Sequence, residues 1–234
     1  VPVFAVYSSF LQRAYDQLLH DVALSGLHIV FAVDRAGLVG ADGATHHGVM
    51  DAVFLSGIPN MTVLCPASFA ELRAMLRRAV LEMNSPVAIR YPRGGEGAFT
   101  ADTSAEDFAE LRAGEDITLC AYGTMVNNVL DAAALLHKQG IEARVVKLGR
   151  ITPFRGGELS HVFGKTKRLL VAEECSGVGC IGQRIAAILA EEGHEPQKLM
   201  LCNLGRKFIE QGSVPELYRQ CGLDAESLAR TAKE

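Results

Sequence analysis

The chain has 234 residues, 49% of them hydrophobic and 21% charged, with a formal net charge of −4; this is the profile of a globular protein long enough for one large or two small domains, and two are expected, each with its own core. The acidic balance and dispersed arginines leave no basic face for a phosphate backbone, which excludes nucleic acid as a partner class. No apolar run approaches the ~18 residues of a membrane span and no leader pattern opens the sequence, so the expectation is a cytoplasmic protein with no membrane association, and the six cysteines, set singly in apolar runs, read as buried free thiols of a reducing compartment.

VFAVY (3–7) is apolar throughout and reads as a buried strand. A helix is expected over about 9–24, with Leu11, Tyr15, Leu18, Leu19 and Val22 on one stripe. HIVFAV (28–33), MTVLC (61–65) and PVAIR (86–90) read as further strands, and a helix over 68–83 opens on Ser68 as N-cap with Glu71 completing a capping box. Residues 1–95 thus read as a first domain. From Tyr91 the apolar periodicity lapses, and 96–114 reads as a linker rich in Gly, Asp and Glu. The alternation restarts with DITLCAY (116–122), a helix over about 125–139, EARVVKL (142–148), KRLLVAE (167–173), a helix over about 183–193 and KLMLCN (198–203), giving a second domain over 115–234. Strands that alternate with helices and are apolar on both faces indicate α/β architecture with two parallel-sheet domains. Val1-Pro2-Val3 runs straight into the first strand with no preceding element, so the chain is expected to start inside a larger protein.

In open parallel sheets ligands bind beyond the carboxyl ends of strands. Tyr7 ends the first strand, Asp34 and Arg35 end the second, and Arg90 and Arg93 follow the PVAI strand. Phe10 and Arg13 share one face of the following helix at i and i+3. An aromatic face beside Arg13, Arg35 and Arg93 suits an aromatic or anionic ligand, since guanidinium forks match a phosphate; a solvated surface arginine is the plainer reading of each. The loop Gly40-Ala41-Asp42-Gly43-Ala44-Thr45-His46-His47-Gly48 follows the second strand. Its adjacent histidines point opposite ways in extended backbone, so at most one faces a site and the two do not chelate one metal. His46, near Asp42, is the candidate for proton transfer, because histidine titrates near neutrality. Gly177-Val178-Gly179-Cys180-Ile181-Gly182 spells G-x-G-x-x-G between a strand and a helix, but Glu173 and Glu174 precede it and would repel a pyrophosphate; a turn for tight helix packing is the preferred reading.

The segments YSSFLQRAYDQLLHDVAL, FAVDRAGLVGADGATHHGVMD, IPNMTVLCPAS and AIRYPRG occur in that order and resemble the 1-deoxy-D-xylulose-5-phosphate synthase family of the transketolase superfamily. FIEQGSVPELYRQCGLDAESL resembles the tail of the family's C-terminal domain, so the resemblance spans essentially the whole chain, as a truncated pyrimidine-binding domain followed by a C-terminal domain. It implies thiamine diphosphate and Mg²⁺ as cofactors, pyruvate and glyceraldehyde 3-phosphate as substrates condensed with loss of carbon dioxide, and a homodimer. On the matching positions it implies that Tyr7 and Phe10 line the aminopyrimidine pocket, that Tyr7, Arg13, Arg35 and Arg93 surround the acceptor and its phosphate, and that Asp42 and His46 lie near the reacting carbons. Ala44 stands where the family usually has proline, which loosens the loop without removing a side-chain function.

The family's cofactor-activating glutamate would precede Tyr7 by roughly twenty residues, and its diphosphate-binding domain with the Gly-Asp-Gly motif has no match here. The isolated chain is therefore expected to be inactive and to need an N-terminal diphosphate-binding domain or chain. Two alternatives are a subunit of a split transketolase-like enzyme with another sugar acceptor, and a non-catalytic assembly module.

Overall fold

Ten strands form where the apolar, β-branched runs lie, in a computed structural model that describes residues 1–234: β1 (Val3–Tyr7), β2 (Val30–Asp34), β3 (Thr62–Leu64), β4 (Val87–Arg90), β5 (Phe108–Arg112), β6 (Ile117–Tyr122), β7 (Ala143–Leu148), β8 (Arg150–Thr152), β9 (Arg168–Ala172) and β10 (Lys198–Cys202). They build two five-stranded sheets, ordered β1-β2-β4-β3-β8 and β10-β9-β6-β7-β5. β6 is buried along its whole length, as strands covered by helices on both faces must be. The register sets Tyr7 beside Asp34 and Val33 beside Arg90, so the carboxyl ends of β1, β2 and β4 share one rim.

Both sheets are mixed, which corrects the expectation of wholly parallel ones. β8 pairs antiparallel with β3, and β5 antiparallel with β7. β5 also lies inside the segment 96–114 read as a linker: Phe108 and Ala109 pair with Leu148 and Lys147 at the sheet edge, where alternating polar residues suit a strand with one wet side. β8 leaves the second half of the chain to complete the first sheet. The two halves consequently do not have separate cores. The largest apolar cluster joins Leu11, Phe31 and Val33 with Tyr122, Val146 and Ile185.

Eight α-helices complete the layers: α1 (Ser8–Leu11), α2 (Asp51–Ser56), α3 (Phe69–Leu81), α4 (Met125–His137), α5 (Glu158–Phe163), α6 (Ile181–Glu191), α7 (Val214–Cys221) and α8 (Ala225–Thr231). The helix expected over 9–24 is not regular. α1 passes into a 3₁₀ turn at Gln12–Ala14 and a π-helical stretch at Gln17–Ala23, where Leu24 and Leu27 donate to carbonyls five residues back. The wider turn buries Leu18, Val22 and Ala23 together, and Tyr15 is left largely exposed. No helix is long and apolar enough to cross a membrane.

Ser68 caps α3 by accepting from Glu71 N at 3.1 Å. Glu71 does not complete a capping box. Its carboxylate accepts instead from Ala67 N and from Thr103 Oγ1, and pairs with Lys147 Nζ at 2.9 Å, both residues wholly buried. The helix start is thereby tied to the second sheet. Ser68→Ala is expected to cost about 1 kcal/mol, the usual worth of an N-cap, read as a lower urea midpoint at constant slope; an unchanged midpoint would show the cap to be redundant with the Glu71 ties.

Candidate active site

The rim above β1, β2 and β4 gathers aromatic and guanidinium groups. Tyr7 closes β1 and Phe10 follows one turn into α1, and their rings stack with centroids 5.4 Å apart. The Arg35 guanidinium carbon lies 3.7 Å from the Tyr7 ring centroid, and that of Arg13 lies 5.8 Å from Phe10, distances at which a cation is held by a ring quadrupole. His46 meets Phe10 edge-on, centroids 5.4 Å apart. Phe10 nonetheless remains 40% exposed, so this aromatic surface is open to a flat ligand. The five side chains predicted from scattered positions are thus brought to one place.

Arg35 sits with φ of +60°, a left-handed conformation that costs a non-glycine residue ~1 kcal/mol or more and is concentrated at ligand sites. The conformation lets its own N–H and guanidinium both donate to Asp34, each at 2.6 Å. Arg93 likewise pairs with Asp42 at 2.6 Å, both groups well exposed. Two of the arginines therefore already carry a carboxylate partner, whereas Arg13 makes no ion pair. The exposed Arg93–Asp42 pair is worth ~0–1 kcal/mol, little enough for an incoming phosphate to replace or share it, whereas the Arg35–Asp34 pair is part-buried. Asp34, Arg35 and Arg93 also line a cleft of about 360 Å³ shared with Ser68, Tyr91 and Thr124, whereas Tyr7, Phe10, Arg13, Asp42 and His46 lie outside its wall.

The two histidines of the glycine-rich loop separate as their opposite orientation requires. His46 Nδ1 shares a 2.9 Å hydrogen bond with Thr45 Oγ1, and its Nε2 has no protein partner. His47 is buried; its Nδ1 accepts from Val39 N and its Nε2 donates to Glu210 O. One is available for chemistry and the other anchors the loop. Among His, Cys, Asp and Glu no group of three or more is placed to hold a metal.

Arg90, considered for the rim from its sequence position, lies beneath it. Its guanidinium makes a two-pronged contact with Asp51 at the start of α2, at 2.9 and 3.1 Å, and faces the Tyr122 ring at 5.3 Å. Burial pushes the Arg90 guanidinium down, but Asp51, with Cys65 and Tyr122 adding to it, holds the group above its ordinary value. The Asp51 pairing and the anchoring role of His47 were not legible in the sequence. A carboxylate opening a helix and an arginine closing an apolar strand were the only signals, and both are common on surfaces.

The G-x-G-x-x-G turn is closed to a pyrophosphate. Glu173 accepts from Ile181 N at 3.0 Å, from Gly182 N at 2.9 Å and from the Tyr122 hydroxyl at 2.8 Å. The anion position at the start of α6 is filled by the chain's own carboxylate, and a Cβ at Gly182 would come within 3.1 Å of it. All six cysteines are free, four of them buried.

Comparisons with known proteins agree with this architecture. Residues 1–95 match the family model described as transketolase, pyrimidine binding domain, and residues 107–228 match that of the transketolase C-terminal domain. A 1-deoxy-D-xylulose-5-phosphate synthase of Chlorobaculum tepidum is 44% identical over 97% of this chain, and one of Thermus thermophilus is 40% identical over 98%. The chain spans 36% and 37% of their respective lengths. Among solved structures, one described as a split gene transketolase, inactive beta4 tetramer, is similar over 100% of this chain and 75% of its own, at a TM-score of 0.85 and 28% identity. A transketolase from Pichia stipitis shares the fold at a TM-score of 0.80 and 20% identity, over 99% of this chain and 33% of its own.

Proposed function

Because the chain belongs to the transketolase family and spans its pyrimidine-binding and C-terminal domains, we propose that it forms one side of a thiamine diphosphate site that condenses pyruvate with glyceraldehyde 3-phosphate with loss of carbon dioxide, the 1-deoxy-D-xylulose-5-phosphate synthase reaction. The observation that carries this reading is the open Tyr7–Phe10 stack with His46 at its edge and guanidinium groups around it. The half-exposed Phe10 ring fits a flat heteroaromatic such as the aminopyrimidine. Mg²⁺ does not fit, since no group of three or more His, Cys, Asp or Glu side chains is placed to hold it, and it is assigned, with the diphosphate it accompanies, to an N-terminal diphosphate-binding domain or chain. When bound, the cofactor supplies the carbanion and the electron sink, and the protein supplies position and field.

The residues divide the remaining work. Phe10 receives the aminopyrimidine face and Tyr7 backs it. His46, with Nε2 unengaged, moves a proton at the acceptor carbonyl oxygen, and Asp42 orients the polar groups beside it. Arg35 and Arg93, with Arg13 nearby, take the acceptor phosphate by giving up their carboxylate partners. This assignment is tested in the protein assembled with its diphosphate-binding half. Arg35→Ala or Arg93→Ala is expected to lower kcat/KM for glyceraldehyde 3-phosphate by roughly 10- to 150-fold, the worth of a charge-assisted hydrogen bond, and to leave unphosphorylated glyceraldehyde almost unaffected. Equal losses with both acceptors would refute phosphate recognition. By the same division, residues 1–234 alone bind thiamine diphosphate weakly and turn over no substrate; micromolar binding by calorimetry with Mg²⁺ would contradict this.

A second reading, a subunit of a split enzyme acting on another sugar, is favoured by the likeness to the split gene transketolase, and acceptor specificity of the reconstituted protein separates the two. In either case a homodimer is proposed, supported by the apolar edge strand β1, where Val3 and Phe4 are about half exposed. A cytoplasmic location accords with six unpaired thiols.

A further inference from the structure

The second sheet has a topological switch. From β6 the chain goes one way to β7 and the other way to β9 and β10, and a crevice at the carboxyl ends of β6 and β9 is the ordinary place for a ligand in such a sheet. Here the crevice opens toward the first half of the chain, and Glu173 occupies it as described above. The following residue, Glu174, reaches further, to the underside of the loop that carries Asp42 and His46. We infer that Glu174 is a positioning residue for the active-site loop, held in the second half of the chain and acting on the first.

The loop has a defined neck and a defined floor. Gly37 and Gly48 exchange two backbone hydrogen bonds, Gly37 N to Gly48 O at 2.7 Å and Gly48 N to Gly37 O at 2.8 Å, which isolates the residues between them as one unit. Inside the neck, Leu38 N donates to Glu174 Oε1 at 3.0 Å, across 136 positions of sequence. Gly37 lies directly on the carboxyl group: a Cβ there would come within 2.7 to 2.8 Å of three of its atoms, and the φ of +81° is open to glycine alone at little cost. Val39 N is taken by His47, which is itself fastened to Glu210 O. Gly212 N donates to Gly40 O at 3.4 Å. The floor of the loop is therefore built from the second half of the chain.

Glu174 is an expensive choice for this place. It is buried and makes no ion pair; burial pushes its carboxyl up, with the Leu38 N–H, Arg90 and the Tyr218 hydroxyl on α7 pulling the other way. An apolar residue of the same volume would avoid burying a carboxyl but would leave the Leu38 N–H and the Tyr218 hydroxyl without their acceptor. What only an oxygen supplies is an acceptor that fixes Leu38, and through the short neck the outward tip with His46. Displacement of a reacting group by 1 Å costs on the order of 100-fold in rate.

The catalytic part of this inference rests on the proposed reaction; the clamp does not. The test uses the complete enzyme and the variants Glu174→Met and Glu174→Gln. Glu174→Met keeps the volume and removes the acceptor. It is expected to melt below the wild-type temperature, because the Leu38 N–H and the Tyr218 hydroxyl lose their acceptor, to exchange the Leu38 amide at least about tenfold faster, and to lower kcat roughly 10- to 100-fold with KM for pyruvate little changed. Glu174→Gln, which keeps an oxygen at the same position, is expected to restore slow exchange and most of kcat. Unchanged exchange at Leu38 in Glu174→Met overturns the clamp, whatever the enzyme does. Faster exchange with unaltered kcat overturns its role in positioning. If the wild-type assembly condenses neither acceptor, the proposed reaction fails, and the exchange measurement still decides the clamp.

Discussion

Asp51→Ala is expected to cost about 3–5 kcal/mol of folding stability, the typical result of removing one partner from a buried ion pair. Asp51 has no exposed surface and the Arg90 side chain is 5% exposed. Without the carboxylate, Arg90 keeps the face of Tyr122 and the thiol of Cys65, whose ionisation burial opposes, and feels the Glu174 carboxyl only as a weaker electrostatic influence with no hydrogen bond to it. A loss of this size is a large fraction of the ~5–15 kcal/mol typical of a folded domain. The pair is not itself an economical way to build a core. Asp51→Leu combined with Arg90→Met is accordingly expected to recover most of the loss, measured in urea against the single variant at a common slope. If Asp51→Ala unfolds within 1 kcal/mol of the parent, water reaches Arg90 and the buried assignment is wrong.

His46→Ala carries the largest expected effect on turnover. On the proposed reaction, removal of a positioned proton-transfer group lowers kcat by roughly 10²- to 10⁴-fold, about 3–5 kcal/mol of transition-state stabilisation. Its folding cost is small, since His46 is partly exposed and holds only the Thr45 hydroxyl and the edge of Phe10. The neighbouring residue supplies the control. His47→Ala strips two hydrogen bonds that fasten the loop to Val39 and Glu210, leaves a buried N–H without an acceptor, and is expected to lower stability by about 1–3 kcal/mol. One histidine then fails in catalysis with a normal melting point, and the next fails in melting. Loss of stability in both, or of turnover in neither, would remove the basis for assigning chemistry to His46.

The placement of the candidate side chains was most legible where the signal was local. Tyr7, Phe10, Arg13, Arg35 and His46 follow or adjoin strand ends that apolar runs identify, and the parallel arrangement of β1, β2 and β4 carries all such ends to one edge. Arg93 and Asp42 reach the same rim, but as a pair with each other, because an exposed guanidinium takes whichever carboxylate lies within reach. The π-helical stretch escaped detection since its apolar spacing, Leu18 to Ala23, imitates an ordinary helix with one extra residue.

The α/β class, eight of the ten strands in their succession along the chain and the strand ends that form the rim were legible in the sequence itself, because continuous apolar runs and capping residues act over fewer than twenty positions. Only the tertiary structure decided that β8 completes the first sheet, that β5 lies within the supposed linker, that Glu173 seals the glycine-rich turn, and that Glu174 supports the loop from below. Each of these joins groups whose separation along the chain carries no periodicity. A buried carboxyl finds its donor according to which backbone N–H the packed sheets leave unsatisfied, and that is settled only when both halves have closed on one core.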